Sequence, residues 1–143
     1  MKRAAFTSVA LALASMTAAS AADSGLAVRV AARGSTGTIH CAVFAAERGF
    51  PGDTKAAMET ASVGIETGRA VCRFPSLPPG TYAVAVYQDE NGNGVLETNA
   101  FGIPKEPLGF SRNPSARFGP PRFTAAAFAL GPAPLELDVG LQH

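Results

Sequence analysis

Asp89, Asn91, Asn93 and Glu97 place side-chain oxygens along one short segment, with Gly92 and Gly94 between them. A hard cation such as Ca²⁺ takes roughly six to eight oxygen ligands, and glycine-spaced acids and amides let one turn of backbone aim several of them inward. Counted as an EF-hand loop from Asp89, Asn91 takes position 3, Asn93 position 5, Gly94 position 6, the Val95 carbonyl position 7 and Glu97 position 9. Ala100 stands where the bidentate acid belongs, and the preceding residues alternate like a strand rather than a helix. The pattern is therefore not an EF-hand. It is an oxygen-rich loop whose expected Ca²⁺ ligands are Asp89, Asn91, Asn93, Val95, Glu97 and Asn99, with Glu106 available to complete the shell. Two charged ligands within the motif set an expected affinity of about 10⁻⁴ to 10⁻³ M. A second reading fits the same residues: Asn91-Gly92 and Asn93-Gly94 after an alternating strand are hairpin-turn chemistry that needs no ion.

Catalytic chemistry is thinly represented. His40 sits inside a strand and His143 is the last residue, so neither stands beside an evident nucleophile. Gly109-Phe110-Ser111 lacks the second glycine of a nucleophile elbow. Carboxylates for glycoside hydrolysis can be drawn only from Asp89, Glu97 and Glu106. The leading reading is thus a non-enzymatic binding or structural module, and the alternative is a glycan-directed periplasmic hydrolase using the carboxylates of residues 89–106.

These groups must be held by strands. Leu26, Val28 and Val30 alternate with Ala27, Arg29 and Ala31, and Ile39, Cys41 and Val43 share one face of a second strand. A hairpin through the Gly34 to Gly37 turn is the simplest way to join the two. Residues 55–60 suit a helical turn, Val63 and Ile65 mark a short strand, and Ala70, Cys72 and Phe74 face one way on the next. Tyr82, Val84 and Val86 alternate with Ala83, Ala85 and Tyr87 after a Pro78-Pro79-Gly80 turn, a placement similar to the tyrosine corner of Greek-key sandwiches. From Asp89 to Pro121 no period survives, yet Phe101, Ile103, Leu108, Phe110 and Phe118 are too apolar for a solvated linker. This stretch is expected to be an ordered excursion packed on the sandwich. Residues 123–130 fit helix or strand, and Leu135, Leu137, Val139 and Leu141 close the fold. The expected fold is all-β: an Ig-like or prealbumin-like Greek-key sandwich of about seven strands.

Lys2 and Arg3, an apolar run and small residues through Ala21 make a secretory signal peptide over 1–21, leaving 22–143 as one β-sandwich domain. The expected location is periplasmic or secreted. Without Lys2 and Arg3, ten basic face eleven acidic residues, which gives nucleic-acid binding no electrostatic support. The apolar run is too short and too rich in Ala and Ser for a membrane span. Cys41 and Cys72 are the only cysteines, and an oxidising compartment favours their pairing; with His40 alone they would leave a zinc site incomplete.

The run DENGNGVLETNAFGIPKEPLGFSRN, followed by GPPRFTAAAF, resembles the signature of domain of unknown function 2141, a family of small exported bacterial proteins. Asp89, Asn91, Asn93, Gly94, Asn99, Gly102, Pro104, Glu106, Gly109, Phe110, Ser111, Asn113 and the Gly119-Pro120-Pro121 run with Phe123 match its pattern, while Glu97 and Arg112 depart from it. The resemblance implies a signal peptide, a β-sandwich-like domain and a cell-envelope location, with no established activity. On the binding-module reading Glu106, Gly109, Phe110, Ser111, Arg112 and Asn113 form a recognition surface for a protein or glycan of the envelope; Arg112, Arg117 and Arg122 are either scattered solvated arginines, the usual case for surface charge, or a set that meets an anionic group.

Overall fold

Leu26, Val28 and Val30 point into the interior from β1 (Ser24–Ala31), as their alternation requires. The computed structural model describes residues 24–96 and 104–142; the expected signal peptide, Glu97, Asn99, Phe101 and Ile103 lie outside the described residues. The remaining strands are β2 (Thr38–Phe44), β3 (Glu59–Gly64), β4 (Arg69–Leu77), β5 (Gly80–Asp89), β6 (Leu108–Phe110), β7 (Phe128–Leu130) and β8 (Leu135–Gly140). One sheet has the order β4-β1-β8; the other runs β3-β2-β5-β6, with β7 also paired to β5. The all-β expectation holds, with eight strands among the described residues rather than about seven, and there a single helical turn, α1 (Phe123–Ala126), besides a 3₁₀ turn at Thr54–Ala56.

The expected β1–β2 hairpin is not formed. β1 lies between β4, antiparallel, and β8, parallel, while β2 pairs with β3 and β5 in the other sheet. The physical reason is Gln88, fully buried on β5. Its amide nitrogen donates to the Arg33 and Thr36 carbonyls at 2.8 and 3.0 Å, and its oxygen accepts the Arg33 amide at 2.8 Å. Three bonds to one side chain lead residues 32–37 across the edge of the sandwich, so the next strand enters the opposite sheet. On the outer side of the first sheet Arg29 reaches Glu136 at 3.1 Å and Asp138 at 2.9 Å, both on β8.

Between the sheets Leu26, Val28 and Val30 meet Ile39, Cys41, Val43, Tyr82, Val84 and Val86. Cys41 of β2 and Cys72 of β4 are disulfide-bonded across this core, 31 positions apart. Closing a loop of that size contributes roughly 3 to 4 kcal/mol in the chain-entropy account. Tyr82 donates its hydroxyl to the Pro78 carbonyl at 2.5 Å, which forms the expected corner and fixes the crossing from β4 to β5.

The excursion is ordered where it is described, and it gives the second sheet a covered outer face. Ala83, Phe110 and Ala126 form a second buried cluster, joined by Phe50, Ala85, Leu108 and Phe123. Phe50 meets Phe44, Phe110 and Phe123 edge-on with centroids 5.3, 6.1 and 5.8 Å away. Alanines on β5 let these rings approach the sheet. This layer covers only part of the face, and the uncovered part is where polar groups gather.

Candidate functional site

Asp89 ends β5 and is 1% exposed, yet it carries a charge that must be compensated. One carboxylate oxygen accepts the Gly92 amide at 2.9 Å and the other the Gly94 amide at 2.6 Å. The turn can close in this way because Gly92 and Gly94 both take positive φ, of 73° and 74°. Asn91 then accepts the Asn93 amide at 3.2 Å, and Asn93 the Val95 amide at 3.0 Å. Burial alone would raise the Asp89 carboxyl; the amides of Gly94 and Gly92, the His40 ring and the Asn93 amide outweigh it and hold the group below its ordinary value.

Of the expected calcium ligands, the structure brings together Asp89, Asn91, Asn93 and Val95, while Glu97 and Asn99 lie outside the described residues. The side-chain oxygens of Asp89, Asn91 and Asn93 are turned onto the loop's own amides. Among the described residues no group of three or more His, Cys, Asp or Glu side chains is placed to hold a metal ion.

The six residues of the expected recognition surface divide. Glu106 and Phe110 are 5% and 4% exposed, Ser111 is 0% exposed, and Gly109 is buried, so these four do not form an accessible surface. Ser111 shows why: its hydroxyl donates to the Ala126 carbonyl at 2.5 Å and accepts the Val84 amide at 2.9 Å, pinning α1 to β5. A Cβ on Gly109 would collide with the Gly140 carbonyl. Arg112 and Asn113 are at the surface, in left-handed conformations with φ 65° and 51°. Asn113 accepts the Gly140 amide at 2.9 Å and donates to the Asp138 carbonyl at 3.2 Å, which holds the excursion on β8. Arg112 donates to the Ala127 carbonyl at 3.3 Å. The signature segment works mainly as a staple.

The accessible chemistry lies on the uncovered part of the second sheet. His40 of β2 and Tyr87 of β5 are cross-strand partners, and their rings stack with centroids 4.8 Å apart and planes at 21°. His40 Nδ1 is 2.7 Å from the Ser62 hydroxyl on β3, and Nε2 is 3.4 Å from an Asp89 oxygen. Tyr87 donates its hydroxyl to the Gly94 carbonyl at 3.0 Å, tying the ring pair to the loop. The Tyr87 hydroxyl is pushed up, by burial first and then by the Asp89 and Glu106 carboxylates. His40, Ser62 and Tyr87 floor a groove of about 1640 Å³, with Arg33, Arg117 and Phe118 also lining it. Phe118 is 98% exposed. Sequence reasoning sets His40 aside as a mid-strand residue and passes over Ser62 and Tyr87, whose only signal is the outward phase of alternating strands.

No helix among the described residues is long and apolar enough to cross a membrane. No curated protein and no solved structure matches the chain. One family model, described as uncharacterized protein conserved in bacteria (DUF2141), matches residues 28–137, from β1 into β8. That span takes in both sheets, the Asp89 loop and the Ser111 staple, and the chain belongs to the DUF2141 family.

Proposed function

We propose that this chain is an exported, non-catalytic binding module of the bacterial cell envelope, and that its ligand is a glycan carrying an acidic group. The observation that supports this most is the groove, with the stacked His40–Tyr87 pair on its floor, an exposed Phe118, and Arg33 and Arg117 along it. Sugar rings pack their C–H faces on flat aromatic surfaces, and a carboxylate on the sugar finds guanidinium donors there. Export is supported by the leader-like residues 1–21. We read the sandwich as a Greek-key fold of the Ig or prealbumin kind, supported by the tyrosine corner at Tyr82. We read the Asp89 loop as closed by its own amides rather than by Ca²⁺.

The chain has two tyrosines and no tryptophan, and Tyr82 is buried between the sheets. Tyrosine emission during titration with soluble acidic envelope oligosaccharides, muropeptides among them, therefore reports on Tyr87. A saturable change that Tyr87→Phe retains in calorimetry and Tyr87→Ala loses supports the reading. Neither heat nor emission change at millimolar oligosaccharide overturns it.

One observation favours a hydrolytic second reading. Asp89 and Glu106 are buried, which turns the expected carboxylates inward, but Ser62 and His40 line the groove with Asp89 buried behind them, in a hydroxyl–imidazole–carboxylate line. On this reading the Ser62 oxygen adds to an ester carbonyl as its proton passes to His40 Nδ1. The leaving alcohol takes that proton, and water then releases the acid and restores Ser62. Labelling of Ser62 by a fluorophosphonate, lost in Ser62→Ala, tests it; an unlabelled protein rules against it.

A further inference from the structure

β3 is the one long sheet edge among the described residues with neither a charge in its interior nor a proline. An unpaired strand edge offers a row of amides and carbonyls to any extended chain, and folded proteins blunt such edges with charge, proline, bulges or short length. The other edges are blunted. β4 carries Arg69, Arg73 and Pro75, β8 carries Glu136 and Asp138, and β6 and β7 are three residues each, β6 being further capped by mutual backbone bonds between Leu108 and Gln142. β3 reads ETASVG, and its sole charge, Glu59, stands at its first position. Beyond the ladder with β2, residues 59–64 make no backbone hydrogen bond among the described residues.

We propose that β3 is the surface through which two copies of this chain pair, antiparallel about a two-fold axis, joining their second sheets into one. Side chains on one face must stay on that face, so the axis passes through Ala61 or Ser62. Glu59 then faces Val63 or Ile65 of the other copy and never its own equivalent, so no like charges oppose. Past Glu59 at its first position the strand has no charge with which to select a foreign peptide, whereas self-pairing is closed and needs no other chain. Thr60 and Ser62 line the His40–Tyr87 groove. The second copy's β3 would therefore extend the wall of that groove and set the two grooves side by side.

Sedimentation velocity of the disulfide-bonded chain across a wide concentration range is expected to show a monomer–dimer equilibrium. The variant T60K/G64K puts lysines on exposed positions of the edge; Gly64 has open space for a side chain and no positive φ. Its lysines meet across the axis, directly or diagonally, and should weaken dimerisation roughly tenfold or more. Its circular dichroism should stay that of the parent chain. Amide exchange in the unmodified chain supplies a second readout: β3 amides should exchange more slowly as concentration rises. A chain that stays monomeric at every concentration, β3 exchange independent of concentration, or a dimer undiminished in folded T60K/G64K would each overturn the proposal.

Discussion

The His40 ring lies against the Tyr87 ring, 4.8 Å between centroids, because β2 and β5 pair in a register that sets the two residues opposite each other. Each ring is held from a second direction: His40 by Ser62 at 2.7 Å, Tyr87 by the Gly94 carbonyl at 3.0 Å. A platform held this way loses little freedom when a ligand settles on it, which is what a small binding module needs.

Removing one ring tests that coupling. His40→Ala should destabilise the fold by about 0.5 to 1.5 kcal/mol, the usual worth of an aromatic pair beyond its area. It should weaken glycan binding by more than the same change at the distant, exposed Glu136. Urea unfolding and calorimetry measure both.

The Asp89 carboxyl sits below its ordinary value. Its contribution to stability is therefore fully present above the carboxyl's unfolded value and is lost as pH falls through the folded one. Asp89→Asn should flatten the acid side of the stability–pH curve while leaving the neutral-to-basic side parallel to the parent. Urea midpoints taken from neutral pH to below the carboxylate range would show it; parallel curves throughout would contradict it.

Calcium addresses the same loop differently. With Asp89, Asn91 and Asn93 already accepting backbone amides, millimolar Ca²⁺ should leave the melting temperature unchanged. A ligand bound only to the folded state must raise it. A rise that disappears in Asp89→Ala would mean that the loop turns its oxygens to an ion.

Ser111 joins α1 to β5 through two bonds in the interior. Ser111→Ala leaves the Val84 amide and the Ala126 carbonyl unmatched, at about 1 to 3 kcal/mol for each buried group. The loss should appear in urea unfolding, with glycan affinity little changed in the protein that remains folded. Lost affinity at unchanged stability would return Ser111 to a binding role.

Strand faces were legible because alternation is local: Leu26, Val28 and Val30 on one strand and Ile39, Cys41 and Val43 on another point inward as their spacing requires. The Tyr82 corner was legible for the same reason, since turn and tyrosine lie four residues apart. Partner choice was not. Whether β1 pairs with β2 or with β4 and β8 depends on Gln88, a polar residue whose three bonds inside the fold leave no local trace. The groove was hidden likewise: His40, Ser62 and Asp89 come together only once the registers of β3, β2 and β5 are known. Ser111 and Phe110 passed for surface because they follow a long aperiodic stretch. The opposing signal was on β5, where the small outward residues Ala83 and Ala85 leave room for a covering layer.

On the proposed function, ligands bind the His40–Tyr87 groove and not the signature segment at residues 109–113. The test is to follow amide and ring shifts of the ¹⁵N- and ¹³C-labelled chain during titration with an acidic envelope oligosaccharide. Saturable shifts are expected at His40, Ser62, Tyr87 and Phe118, with Ser111 and Asn113 unmoved. Shifts centred on Arg112 and Asn113, or no shifts at saturating oligosaccharide, would contradict it.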